Sequence, residues 1–157
     1  MEKKKLIIFD LDGVLINSLK NMEYALDNTN KKLGLNLKFN EYKKYIGLPF
    51  FEILKKMGVK KDYSEIKKYY KYFSQKKINK IRIYKSTIIE LKKLQKKYKL
   101  AIFTSKDKSR TLKIIKRMNF FSIVLSSEEL QKGKPDPEGI NKILKITECS
   151  KKNVVYI

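Results

Sequence analysis

Four short runs interrupt an otherwise polar chain: LIIF at residues 6–9, LAIF at 100–103, SIVLS at 122–126 and NVVYI at 153–157. Short continuous apolar runs of this kind predict strands buried on both faces of a parallel sheet. Between them the apolar positions recur at helical spacing. Leu19, Met22, Leu26, Thr29 and Leu33 predict a helix capped by Ser18 and closed by Gly34. Asn40 is read as the cap of a shorter helix through Tyr42 and Ile46. GLPFFEILKKMG places Pro49 in a first turn, and Asp62 with Glu65 suggests a capping box. Further helices are expected on Ile88, Leu91, Leu94 and Tyr98, capped by Thr87 and Glu90. Others follow on Leu112, Ile115 and Met118 after Asp107, and on Ile140, Ile143 and Leu144 after Asp136 and Pro137. Residues 18–84 carry no strand signal and read as a helical insertion. Strands alternating with helices elsewhere imply a parallel sheet with right-handed crossovers.

Two carboxylates stand at the end of the first strand, in FDLDG. Charge buried without a partner is costly, so Asp10 and Asp12 must meet something. In open parallel sheets ligands bind beyond the carboxyl ends of the strands. There Asp10 and Asp12 follow the first strand, Thr104 and Ser105 the second, and Lys134 the third. Taken singly, each has a bland alternative: a turn, a helix cap, a solvated loop lysine. Their placement after successive strands favours convergence on a phosphate and a hard cation. Gly13 would let the backbone turn so that the amides of residues 11–13 face that phosphate. Lys106 and Asp107 are read as a solvated lysine and a helix cap, the tyrosines of residues 69–72 as packing. Whether Lys43 or Lys44 faces a substrate is open.

Composition narrows the chemistry. The 157 residues carry no histidine, which removes serine–histidine pairs and histidine-ligated zinc. A single cysteine, Cys149, excludes an internal disulfide and fits a reducing, cytoplasmic setting. The N-terminal apolar run is broken by two aspartates, so a secretion signal is rejected, and no stretch approaches a membrane span. The net charge of +22 allows nucleic acid or another polyanion as partner. Lysines spread over polar helix faces explain it more economically.

FDLDGVL, FTS and GKPDP resemble the first three motifs of the haloacid dehalogenase superfamily, in its phosphatase branch, and IGLPFFEILKKMG is similar to the cap segment of phosphoglycolate phosphatases and β-phosphoglucomutases. The resemblance implies a Rossmann-like three-layer α/β core with a parallel sheet, residues 1–17 and 84–157, and a helical cap, residues 18–83. It implies a Mg²⁺-dependent hydrolase of a small phosphorylated metabolite acting through an aspartyl-phosphate. Asp10 matches the nucleophile and a metal ligand. Asp12 matches the general acid/base, with its backbone carbonyl a further ligand. Thr104, Ser105 and Lys134 match the phosphate-binding groups. A phosphomutase and a non-catalytic polyanion-binding module are the alternatives. Four positions depart from the pattern: Asn17 replaces a frequent aspartate, Ser105 a frequent asparagine, and Lys85-Ser86 a Pro-Gly. The family's fourth motif, Gly-Asp with further acidic ligands, follows the fourth strand. The chain stops inside that strand, so a fragment is expected, and weak Mg²⁺ binding with little turnover if Ile157 is the natural end.

Overall fold

A computed structural model describes residues 5–116 and 118–157. Its main sheet has four parallel strands in the order β5-β4-β1-β6, where β1 is Leu6–Phe9, β4 Lys99–Thr104, β5 Ile123–Ser126 and β6 Val154–Tyr156. Side chains alternate between faces along a strand. Ile7 and Phe9 therefore join Leu100 and Ile102 on one face, beneath Leu91 of α5 (Thr87–Leu94) and Ile114 and Ile115 of α6 (Lys108–Ile115). Leu6 and Ile8 join Ala101, Phe103 and Leu125 on the other, beneath Ile143 and Leu144 of α7 (Glu138–Thr147). This is the three-layer α/β core that the strand pattern predicts. Helix α7 lies so close to the sheet that a Cβ on Gly139 would collide with the Phe103 ring, so no larger side chain fits there without displacement.

Four α-helices come between β1 and α5: α1 (Leu19–Leu33), α2 (Phe39–Lys43), α3 (Phe50–Lys56) and α4 (Tyr63–Lys76). They have a core of their own, built on Met22, Ala25, Leu26, Tyr42, Ile53 and Tyr70. The tract is not free of strand. Arg82–Ile83 (β3) pairs antiparallel with Ile16–Asn17 (β2), joining the entrance of the insertion to its exit. Two-residue strands have too little period to be read from a sequence.

Several caps are also reassigned. Lys38, not Asn40, precedes α2, and Ser86 precedes α5. The Thr87 hydroxyl donates instead to the carbonyl of Leu15. Pro137 occupies the cap of α7, while Asp136 still accepts from the Glu138 N–H at 2.9 Å. Asp62 caps α4 and Gly34 closes α1 in the left-handed conformation, as expected. Leu19 and Leu112, placed on apolar faces by spacing, are exposed. Among the described residues no helix is long and apolar enough to cross a membrane.

Candidate active site

The sheet winds from β1 through β4 to β5 on one side, and β6 lies on the other. Asp10 therefore leaves the sheet where the winding reverses, the place where open α/β sheets hold ligands. Its amide donates to the Ile157 carbonyl at 2.7 Å, so pairing with the last strand continues past Phe9. Asp10 and Asp12 line a cleft of about 460 Å³, counted with its open mouth, roofed by the helical insertion. Thr104, Ser105, Lys106 and Arg110 form the rest of the core wall; Tyr42, Phe50 and Tyr70 belong to the roof.

Each carboxylate has its own cation. Lys134 approaches Asp10 Oδ1 to 3.0 Å, and Lys106 approaches Asp12 Oδ2 to 3.2 Å. The Lys134 ammonium is buried and lies within ion-pair distance of Asp10, but it is not aligned as a hydrogen-bond donor to any described residue. Charge and the ring faces of Phe103 and Tyr156, at 4.9 and 5.4 Å, hold it in place. Its N–H donors are thus left for an oxyanion. Asp10 Oδ1 also accepts from the Leu11 N–H at 2.6 Å, whereas Oδ2 accepts no hydrogen bond among the described residues.

Asp12 is held more firmly. The Ser18 hydroxyl donates to its Oδ1 at 2.5 Å. Ser18 does occupy the N-cap of α1, but its hydroxyl makes no cap bond and is used on Asp12 instead. Lys106, expected to be solvated, is buried, with its side chain 3% exposed. Burial pushes its pKa down, and the Asp12 charge opposes that shift. The main chain after Asp12 turns through Gly13, whose φ of 85° is a left-handed conformation favouring glycine. The Gly13 N–H donates to the Ile16 carbonyl at 2.9 Å. The amides of Leu11 and Gly13 are therefore already used, and of the three expected to face a phosphate only that of Asp12 is uncommitted among the described residues. Thr104 Oγ1 accepts from the Lys106 N–H at 3.2 Å and keeps its own proton for a ligand. The Ser105 hydroxyl donates to the carbonyl of Gly47, in the insertion, at 2.7 Å.

Behind the cleft lies a buried polar network that the sequence did not announce. Arg110 Nε is hydrogen-bonded and ion-paired with Asp107 Oδ2, and its NH1 group donates to Ser74 Oγ at 2.7 Å. Ser74 Oγ donates in turn to Asn21 Oδ1 at 2.6 Å. The guanidinium lies 5.6 Å from the centre of the Tyr70 ring, and the hydroxyls of Tyr70 and Tyr42 meet at 3.0 Å. Lys43 and Lys44 stay outside the cleft, and Lys44 pairs with Glu41 on the surface.

Burial raises the Tyr70 phenol from 10.0 to about 12, against the lowering influence of Arg110, and burial with the Tyr70 contact raises Tyr42 as well. A raised folded-state pKa favours the neutral phenol. That contribution is complete below pH 10 and is lost as pH rises from 10 towards 12. In an alkaline titration followed by phenolate absorbance, Tyr42 and Tyr70 should therefore ionise late and together with unfolding. Ionisation of every tyrosine in one early wave, with circular dichroism unchanged, would contradict the burial of this pair.

The available donors suit a hard divalent cation. Asp10 Oδ2 and the Asp12 backbone carbonyl accept no hydrogen bonds among the described residues. Both are oxygen ligands of the kind such ions take, usually with water and a bound phosphate completing the shell. Among the described residues no cluster of three or more acidic, cysteine or histidine side chains forms a preassembled cage.

The sequence profile described as "Haloacid dehalogenase-like hydrolase" matches residues 7–157. The chain is 29% identical over 150 residues to the phosphoglycolate phosphatase of Aquifex aeolicus, covering 90% of this chain and 70% of that one. It is 26% identical over 161 residues to the pyrophosphatase PpaX of Bacillus mycoides, covering 96% and 72%. In fold it superposes on a haloacid dehalogenase-like hydrolase from Streptococcus pneumoniae with a TM-score of 0.84 at 24% identity, over 99% of this chain and 76% of that one.

Proposed function

The chain belongs to the haloacid dehalogenase-like hydrolase family, and from that premise we propose that it is a Mg²⁺-dependent phosphatase acting on a small phosphorylated metabolite through an aspartyl-phosphate. The observation that carries the reading is the pairing at Asp10: a carboxylate with one uncommitted oxygen faces a buried ammonium whose donors no described residue takes up. The names of the relatives, a phosphoglycolate phosphatase and a pyrophosphatase, support the same chemistry.

In this reading residues 18–83 are the cap over a discontinuous core, 1–17 and 84–157; residues 1–4 and Arg117 lie outside the described residues. Lys134 and the Thr104 hydroxyl, with the Ser105 amide, hold the phosphate beside Asp10. An Asp10 oxygen attacks phosphorus as the bond to the leaving oxygen breaks. Asp12, a carboxylate held by Ser18 and Lys106, takes a proton from solvent as the substrate binds and gives it to that leaving oxygen. Asp12 then takes a proton from water, which attacks phosphorus and releases Asp10. Asp10 Oδ2 and the Asp12 backbone carbonyl would hold Mg²⁺, which would supply neutralisation of charge on the phosphate oxygens.

The first test is phosphate release from a generic phosphomonoester with Mg²⁺, after chelation, and after Mg²⁺ is restored. Release that vanishes with EDTA and returns with Mg²⁺ is expected. Turnover indifferent to the chelator would refute the metal-dependent reading.

A further inference from the structure

The outer side of the insertion carries charge that the cleft does not use. From residue 66 to residue 89 the chain has eight cations and no acid, its longest acid-free stretch, which runs from α4 through the exit of the insertion. We propose that the outward face of α4, with the neighbouring edge of α1, is a binding surface for single-stranded nucleic acid, separate from the cleft on the inner side of the same helix.

Charge is the first argument. Of the eight cations only Lys71 has an ion-pair partner among the described residues, in Asp107 and Glu128. Ile66, Tyr70 and Ser74 of α4 turn inward and are buried, so the opposite side of the helix faces solvent. Lys68, Tyr72 and Lys76, at spacing i, i+4 and i+8, form one stripe there, and all three are exposed. Lys68 and Lys76 leave the helix about 12 Å apart along its axis, with Tyr72 midway. Glu65 bounds the stripe at its N-terminal end. Helix α1 sets Lys20, Lys31 and Lys32 against Glu23 and Asp27, so it adds to the positive balance.

The rings supply the second argument. Tyr72, expected to pack, is 55% exposed, and the Phe73 ring meets it edge to face at 5.1 Å. Along the seam with α1, the Lys32 ammonium stands 5.7 Å from the centre of the Tyr69 ring, and that of Lys80 stands 4.7 Å from the centre of the Tyr24 ring. Ammoniums already held over rings lose less freedom when a phosphate arrives. Lysines alternating with exposed rings suit a single strand, whose phosphates meet the ammoniums while an unpaired base stacks on the ring. A duplex would meet the lysines, but its bases are stacked on one another and none is left for Tyr72.

The test measures the fluorescence anisotropy of dye-labelled oligo(dT) and oligo(U) of about 20 nucleotides, longer than most single-strand sites, with the whole chain in EDTA. At about 50 mM salt a Kd on the order of 10 μM or tighter is expected for at least one of them, and the tighter identifies DNA or RNA. Lys68→Gln, Lys76→Gln and Lys80→Gln together should weaken binding at least about tenfold. They should also flatten the slope of log K against log salt by about 2, since each phosphate contact contributes about 0.7. Lys92→Gln, Lys96→Gln and Lys145→Gln remove the same charge from exposed positions of the core. That variant should stay within about twofold of wild type, because distant charge is largely screened. Tyr72→Ala should cost at least about fivefold, the lower end of what a stacked base contributes, and Tyr72→Phe should bind as the wild type does. No binding at low salt, an equal loss in the core variant, or unchanged affinity in Tyr72→Ala overturns the proposal. So does a duplex of the same length, or heparin, binding as tightly as the single strand, which would leave only a diffuse polyanion surface. Every outcome is read from binding alone, so it stands apart from whether the cleft hydrolyses phosphomonoesters.

Discussion

Asp10→Asn is expected to lower phosphate release by on the order of 10⁴-fold or more in kcat, the scale seen when a nucleophile is removed from an enzyme whose remaining parts still bind substrate. Asparagine is nearly isosteric and keeps an oxygen for the Leu11 N–H, which donates to Asp10 Oδ1 at 2.6 Å. It cannot supply the attacking carboxylate, and it leaves Lys134, 3.0 Å away, without its counter-charge. The wild-type chain, acid-quenched during turnover, should carry one phosphoryl group by mass spectrometry, and the variant none. Retention of activity within tenfold of wild type would end the assignment of Asp10 as nucleophile.

The second large effect concerns stability. Arg110→Met should destabilise the fold by about 3–5 kcal/mol, the usual result of removing one partner from a buried pair. For a chain of this size that corresponds to a fall in Tm of roughly 10 °C. The reason is the group left behind. Asp107 is buried, caps α6 through the Arg110 N–H at 3.0 Å, and would lose the guanidinium that compensates its burial. The substitution also unties the core from the insertion, since Arg110 reaches Ser74 of α4. Adding Asp107→Asn to the same chain should recover part of the loss, because the buried charge, left with only Lys71 at 3.5 Å, is then gone. A single variant within 1 kcal/mol of wild type, or a double variant less stable than the single, would show that the pair is not what holds this region.

The same pair sets a pH dependence. Burial alone would raise the Asp107 carboxyl, but Arg110, with help from Lys71, overcomes it and holds the group below its ordinary 3.8. A depressed carboxyl stabilises the fold above the unfolded value, and that contribution disappears as pH falls below about 4. In Arg110→Met the acid-induced loss of stability should therefore be smaller, since much of what acid removes is already missing.

The strands, their parallel pairing and the identity of Asp10, Asp12 and Lys134 as groups beyond their ends were legible in the sequence, while Thr104, expected just after the second strand, is the last residue of β4. Uninterrupted apolar runs suit a sheet covered on both faces, as β1 and β4 are, although Val155, Tyr156 and Ile157 of the fourth run lie exposed at the sheet edge, and the ends of such runs mark where chemistry is placed. The left-handed closure at Gly34 and the cap at Asp62 were readable for a similar reason, since both depend on residues within one turn. Lys106 was misread because nothing local hides it. It follows a strand in a polar tetrapeptide, and it is buried only because Met22, Tyr42, Phe50 and Tyr70 close over the cleft from positions 36 to 84 residues earlier in the chain. Ser18 was assigned to its own helix by proximity, yet its hydroxyl meets the Asp12 carboxylate across the turn. Arg110 and Ser74 each look like ordinary helix-surface residues until α6 and α4 are laid side by side. Periodicity and turn chemistry are local properties, and they decide which elements form and which residues stand at their ends. The partner of each buried charge depends on which faces meet in space, and only the packed fold of insertion against core decides that.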